Sequence, residues 1–132
     1  MYSGLKEGTI CALSTAPGMG AIAVLRLSGN ESLDIMNQVF SKDISQAKGY
    51  SLHYGTISDG EETIDDVVIS VFRAPKSFTG EDVVEVSCHG SEYIQSRLLR
   101  LFVSKGCRMA EPGEFTMRAF SNGKMDLSQA EA

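Results

Sequence analysis

Apolar residues recur along this chain at two periods, and the switches between them mark its elements. Thr9-Ile10-Cys11-Ala12-Leu13-Ser14 is a short apolar run that predicts a buried strand. Thr15-Ala16-Pro17-Gly18-Met19-Gly20 reads as a turn, with proline fixing one dihedral and glycines free to take positive φ. Over residues 21–27 the period is two, placing Ile22, Val24 and Arg26 on one face and Ala23, Leu25 and Leu27 on the other. Two strands joined by a glycine turn predict a hairpin. Ser28-Gly29-Asn30-Glu31 has the serine-to-glutamate spacing of a capping box, and Leu33, Met36, Val39 and Phe40 follow at helical spacing, which predicts a helix near residues 30–40. Residues 41–49 are polar and read as a loop.

Residues 51–58 and 63–72 predict two more strands around a turn at Asp59-Gly60. Both faces of the second are largely apolar, as in a central strand. A loop over residues 73–80 leads to a strand over residues 81–89, which separates Val84, Val86 and Cys88 from Val83, Glu85, Ser87 and His89. Ile94, Leu98, Leu101 and Phe102 form the apolar stripe of a helix over residues 91–105, with Arg97, Arg100 and Lys105 toward solvent and Gly106 as its C′ residue. A short strand at 107–110 and a helix at 112–120 opening on Pro112 complete the order. Strands and helices do not alternate strictly, so the expected fold is α+β, a mixed or antiparallel sheet with two to three packed helices.

Composition narrows the function classes. The 132 residues are 42% hydrophobic and 22% charged, ordinary for one soluble globular domain. Twelve basic against seventeen acidic residues give a net charge of -5, which argues against this chain alone gripping a nucleic-acid backbone. Cys11, Cys88 and Cys107 each sit in an apolar run and read as buried free thiols of a reducing cytoplasm. The only histidines are His53 and His89, so no metal site is expected. The N-terminus has no apolar core of signal-peptide length and no segment is long enough to span a bilayer, so a cytoplasmic location without a membrane partner is expected. Leu127-Ser128-Gln129-Ala130-Glu131-Ala132 is helix-forming with no stop signal behind it, so the chain is expected to be the front piece of a longer protein.

Two positions carry candidate chemistry. Arg26 is a guanidinium amid apolar neighbours, and it needs either an internal carboxylate or edge position, or a ligand. Glu85, Ser87 and His89 share one strand face, which is either a solvated sheet surface or a pocket floor; in the second case Glu85 would accept paired hydrogen bonds from a flat, N–H-rich ligand. Cys88 and His89 point to opposite faces and are not a nucleophile–base pair.

Three long stretches resemble, in order, those of one family. They are Pro17-Gly18-Met19-Gly20-Ala21-Ile22-Ala23-Val24-Leu25-Arg26-Leu27-Ser28-Gly29, then Ser77-Phe78-Thr79-Gly80-Glu81-Asp82-Val83-Val84-Glu85 with His89-Gly90, then Pro112-Gly113-Glu114-Phe115-Thr116-Met117-Arg118-Ala119-Phe120 with Asn122-Gly123-Lys124-Met125-Asp126-Leu127-Ser128-Gln129-Ala130-Glu131-Ala132. The family is that of the tRNA-modification GTPases MnmE, also called TrmE. The resemblance implies that residues 1–120 are its N-terminal domain, similar to the tetrahydrofolate-binding domains of one-carbon enzymes, and that 121–132 begin a helical domain carrying an inserted GTPase domain. It implies a homodimer that works with the flavoprotein MnmG (GidA) to modify C5 of the wobble uridine in certain tRNAs. The one-carbon unit would come from a tetrahydrofolate derivative, 5-formyl or 5,10-methylene, and the parent would use GTP with magnesium and potassium ions. The family's folate contacts fall on Arg26, Glu85 and Lys124, with no catalytic residue in this chain.

Two departures limit the transfer. The family commonly carries arginine between the glycines of the first turn, where this chain has Met19, so no cationic clamp is assigned there. No G-x-x-x-x-G-K-[ST] occurs, so no triphosphate cradle is present in this sequence. Two other readings stand beside folate binding: an assembly module that dimerises and docks MnmG without binding folate by itself, and a free-standing folate-dependent one-carbon transferase, against which the unfinished helix counts.

Overall fold

The computed structural model describes residues 7–15 and 20–124. The tip of the first predicted turn, Met19 included, and the helix-forming stretch after Lys124 lie outside them. The elements are β1 (Ile10–Leu13), β2 (Ile22–Ser28), α1 (Ser32–Val39), β3 (Ser51–Asp59), β4 (Glu62–Phe72), β5 (Val83–His89), α2 (Glu92–Ser104), β6 (Arg108–Met109) and α3 (Glu114–Ser121). The sheet has six strands in the order β3-β4-β5-β2-β1-β6, antiparallel except for the parallel β1–β6 pair. The fold is α+β, and β4 is an interior strand, as its two apolar faces require.

Period-two alternation decides which side chains enter the core. Ala23, Leu25 and Leu27 of β2, Val67, Ile69 and Val71 of β4, and Val84, Val86 and Cys88 of β5 point to one side. There they pack with Leu33, Ile35, Met36 and Val39 of α1 and Leu98, Leu101 and Phe102 of α2. The other side of the sheet carries Ile22, Val24, Arg26, Glu85 and Ser87. Among the described residues no helix is long and apolar enough to cross a membrane.

Three local expectations are corrected. Ser28 does not cap α1: it ends β2, and its hydroxyl donates to Oε1 of Glu81 and shares a hydrogen bond with Thr79, both at 2.7 Å. The helix starts instead at Ser32, whose hydroxyl reaches the Gly29 and Asp82 carbonyls at 2.9 and 3.1 Å. Pro112 precedes α3 rather than opening it; Gly113 is the N-cap, at a φ of 75° that glycine tolerates. Arg97 is not a solvated cation of α2, because it donates to Asp59 at 2.9 Å and Glu62 at 2.7 Å and so ties the β3–β4 turn to the helix.

Helix α3 lies on the side away from α1 and α2. Ile10, Ser28 and Val83 form a row across β1, β2 and β5, and all three are buried there, as is Ala119 of α3. What docks the helix is a buried charge network. Arg118 donates to both carboxylate oxygens of Glu81, at 3.1 and 3.2 Å, and to Glu114 at 3.3 Å. Glu114 accepts two bonds from Arg108, at 2.9 and 2.6 Å, and one from the Glu111 N–H at 2.9 Å. Asn122 completes the contact by donating to the Thr79 carbonyl at 2.8 Å.

Glu114 is 5% exposed. The Arg108 guanidinium, ahead of the opposing cost of burial, lowers its carboxyl from 4.5 to about 2. A depressed carboxyl contributes stability that is present above its unfolded pKa and is lost as pH falls toward the folded value. The linked stability is on the order of 3 kcal/mol. Glu114→Gln is therefore expected to lower the urea midpoint at pH 7, with the gap to wild type closing between about pH 5 and pH 2. A gap independent of pH would show that the ionised form of Glu114 is not what holds α3.

Candidate functional site

Register brings Arg26 and Glu85 together. They are Cα partners across β2 and β5, and their row continues to Ala12 on β1, Ser70 on β4 and Leu52 on β3. Nε of Arg26 donates to Oε2 of Glu85 at 2.9 Å. Directly opposed charges on one face are the strand equivalent of a helical ion pair. This is the internal salt bridge that the sequence left open as one account of Arg26. The side chains are 21% and 25% exposed, so the pair stays within reach of solvent.

Two aromatic rings flank the guanidinium. Its central carbon lies 5.1 Å from the Phe78 ring centroid and 5.3 Å from that of Phe115, both within cation–π range. Phe78 comes from the loop after β4 and Phe115 from α3, and the Glu81–Arg118 pair joins that loop to that helix. The charge network thus fixes two rings around one arginine.

The next row on the same face is Val24, Ser87, Val68 and Tyr54, and beyond it stand Ile22 and His89. Tyr54, Leu52 and Ile22 are 62%, 72% and 65% exposed. The floor beside the ion pair is therefore open and mostly apolar. His89 is held at its edge by Asp65, which accepts from the backbone N–H at 2.8 Å and pairs with Nδ1 at 2.6 Å.

Lys124 is placed apart from the pair. It is exposed just past α3, its backbone N–H donates to Ala119 at 2.8 Å, and among the described residues no hydrogen bond or ion pair joins it to Arg26 or Glu85. The cysteines are buried in the core on the far side of the sheet. Burial, with a smaller contribution from Asp65, pushes the Cys88 thiol up to about 11, which keeps it protonated near neutrality. Among the described residues no three His, Cys, Asp or Glu side chains come together as a metal site.

A more apolar groove lies elsewhere. A groove of about 530 Å³ runs along α2, lined by Leu99, Val103 and Met109 with Glu92 and Arg100. Orientation of a small molecule needs convergent polar groups as well as apolar area. The Arg26–Glu85 pair supplies them, and a hollow of about 180 Å³ lined by Tyr54, Val68, Ser87 and His89 opens on the same sheet face.

Sequence reasoning passed over Phe78, Phe115, Glu81 and Arg118. Glu81 looked like the first residue of β5, yet it lies before the strand and turns inward to Arg118. The one readable signal was Glu114 and Arg118 at helical i,i+4 spacing, directly after Gly113. Both Arg26 and Glu85 keep contact with water, so their bond contributes little to folding. A double-mutant cycle of Arg26→Met and Glu85→Gln in urea is expected to give a coupling below about 1 kcal/mol. A coupling of several kcal/mol would make the pair a structural element.

Comparison with known proteins places this geometry in context. The family described as "GTP-binding protein TrmE N-terminus" matches residues 9–124. The tRNA modification GTPase MnmE of Parabacteroides distasonis is 58% identical over 130 residues, which cover 94% of this chain and 28% of that protein. The MnmE of Flavobacterium johnsoniae is 54% identical over 132 residues, 97% of this chain and 28% of the relative. That of Enterococcus faecalis is 54% identical over 133 residues, 97% of this chain and 29% of the relative. The chain spans less than a third of the length of these relatives.

Proposed function

The chain belongs to the TrmE N-terminal family, and from that premise we propose that it is the tetrahydrofolate-binding and dimerisation domain of a tRNA-modifying GTPase. The parent, a cytoplasmic GTP hydrolase using magnesium and potassium ions, would act with MnmG on C5 of the wobble uridine of certain tRNAs. Residues 1–120 would form this domain, with the helical domain starting at 121. The observation that carries the reading is the half-buried Arg26–Glu85 pair on a sheet face, with two aromatic rings flanking its guanidinium.

The groups present suit a folate. Glu85 keeps Oε1 for the amino and N–H edge of the pterin, and the Arg26 terminal nitrogens are donors for a carbonyl or carboxylate oxygen. Lys124, exposed beyond α3, would meet the more distant anionic part of the ligand, such as a glutamate tail. When bound, the folate, as the 5-formyl or 5,10-methylene derivative, supplies a one-carbon unit. The domain's own task is to bind and orient it. The net charge of -5 favours tRNA contact through other domains or MnmG.

A second reading, a module for dimerisation and MnmG docking without folate affinity, draws support from the exposed Ile22, Leu52 and Tyr54. Calorimetric titration with 5-formyltetrahydrofolate, paired with light scattering, separates the two. Saturable binding to a dimer is expected, with Glu85→Ala abolishing binding and leaving the dimer intact. A dimer that takes up no folate would favour the assembly module, and a Glu85→Ala chain that loses its fold would make Glu85 structural.

A further inference from the structure

Three sulfur atoms meet at one edge of the sheet, on the side covered by α2. Parallel pairing of β1 with β6 sets Cys11 opposite Met109, and the Cys11 thiol donates to Sδ of Met109 at 3.9 Å. Cys107, two residues before Met109, turns into the same core, and its thiol is hydrogen-bonded to that of Cys11. That bond lowers the pKa of Cys11, against the opposing effect of burial, and raises that of Cys107. The Glu31 carboxylate adds negative charge near Cys107, which disfavours a bare thiolate and favours a bound cation. The backbone around the three sulfurs is fixed. The N–H of Cys107 donates to Phe102 at 3.0 Å, that of Arg108 to Thr9 at 2.9 Å and that of Ala110 to Cys11 at 2.9 Å. Cys11 and Cys107 are buried, whereas Met109 is 46% exposed and lines the α2 groove, so the cluster has one open side.

Two thiols and a thioether are soft ligands, the set that selects copper(I) over harder ions. Metal–sulfur bonds of about 2.3 Å place the sulfurs of a trigonal site about 4 Å apart. Cys11 and Met109 already stand at that separation. A structural zinc site takes four Cys, His or carboxylate ligands, and among the described residues no three of these come together. We propose that Cys11, Cys107 and Met109 form a binding site for a soft monovalent metal ion, copper(I), reached from the α2 groove past Met109. Each ligating thiol forms a metal–sulfur bond and releases its proton to solvent, and the oxidation state of copper does not change. The bound ion would pin β6, which is only two residues long, to β1. The site lies on the core side of the sheet and does not depend on the folate reading.

The test is a competition for copper(I), without oxygen, between the reduced chain and the chromophoric chelator bicinchoninate. The wild type is expected to withdraw equimolar copper(I) and to gain a thiolate-to-copper charge-transfer band in the ultraviolet. Cys11→Ser should abolish the band. Met109→Leu, at an exposed position, should weaken copper(I) by at least about tenfold, the loss that even a supporting partner of a metal site can cause. Cys88→Ser, which removes a thiol outside the cluster, should bind as the wild type does, with circular dichroism showing each variant folded. Copper(I) should also raise the thermal midpoint of the wild type more than that of Met109→Leu. A wild type that takes no copper(I) from the chelator overturns the proposal, as does undiminished uptake by Cys11→Ser or Met109→Leu. Zinc(II) held as tightly as copper(I) would overturn the choice of ion. The wild-type and Met109→Leu titrations decide even if a cysteine variant fails to fold.

Discussion

The buried Arg118 meets the half-buried Glu81 in an ion pair, and the outward face of the sheet takes its shape from that contact. The loop between β4 and β5 has no regular hydrogen-bonding pattern, and α3 spans only residues Glu114–Ser121, too short to hold a helix by propensity alone. Each borrows order from the other. Arg118 is 4% exposed, and the carboxylates of Glu81 and Glu114 offset the cost of burying its charge. Removing one partner would strand a buried charge, which costs far more than the intact pair contributes. Phe78 rides on the loop and Phe115 on the helix. The two rings around Arg26 are therefore set by a contact that neither ring makes.

The two sides of the sheet divide the work. One is closed by α1 and α2 over an aliphatic core, and it supplies the free energy of folding by burial. The other is only partly closed, by α3 over Ile10, Ser28 and Val83. The Arg26–Glu85 pair sits at the border between the covered and open parts. Such a border suits recognition, because apolar area and fixed polar groups adjoin while water still has access.

Much of this was legible in the sequence where one period repeats. Strict alternation in β2 and β5 separated Arg26 from Ala23, Leu25 and Leu27 and Glu85 from Val84, Val86 and Cys88, and the α2 stripe of Leu98, Leu101 and Phe102 was clear. What alternation cannot give is pairing between strands. That Arg26 stands opposite Glu85, rather than a few residues along, depends on register across elements far apart in the chain. The misread positions are polar residues with a long-range partner. Ser28 has the spacing of a cap yet bonds to Thr79 and Glu81, about fifty residues away in each case. Arg97 has the look of a surface cation yet reaches the β3–β4 turn. Local rules assign such side chains to the nearest backbone or to solvent, and tertiary packing overrides both.

Register, two rings and the Arg118–Glu81 ion pair together shape the proposed ligand site on one sheet face. The most direct measurement is an amide chemical-shift map of the chain during titration with 5-formyltetrahydrofolate. The largest shifts are expected on residues 24–28, 77–87 and 114–118, with the α2 groove around Leu99 and Val103 unmoved. Shifts centred on that groove, with Arg26 and Glu85 silent, would contradict the account.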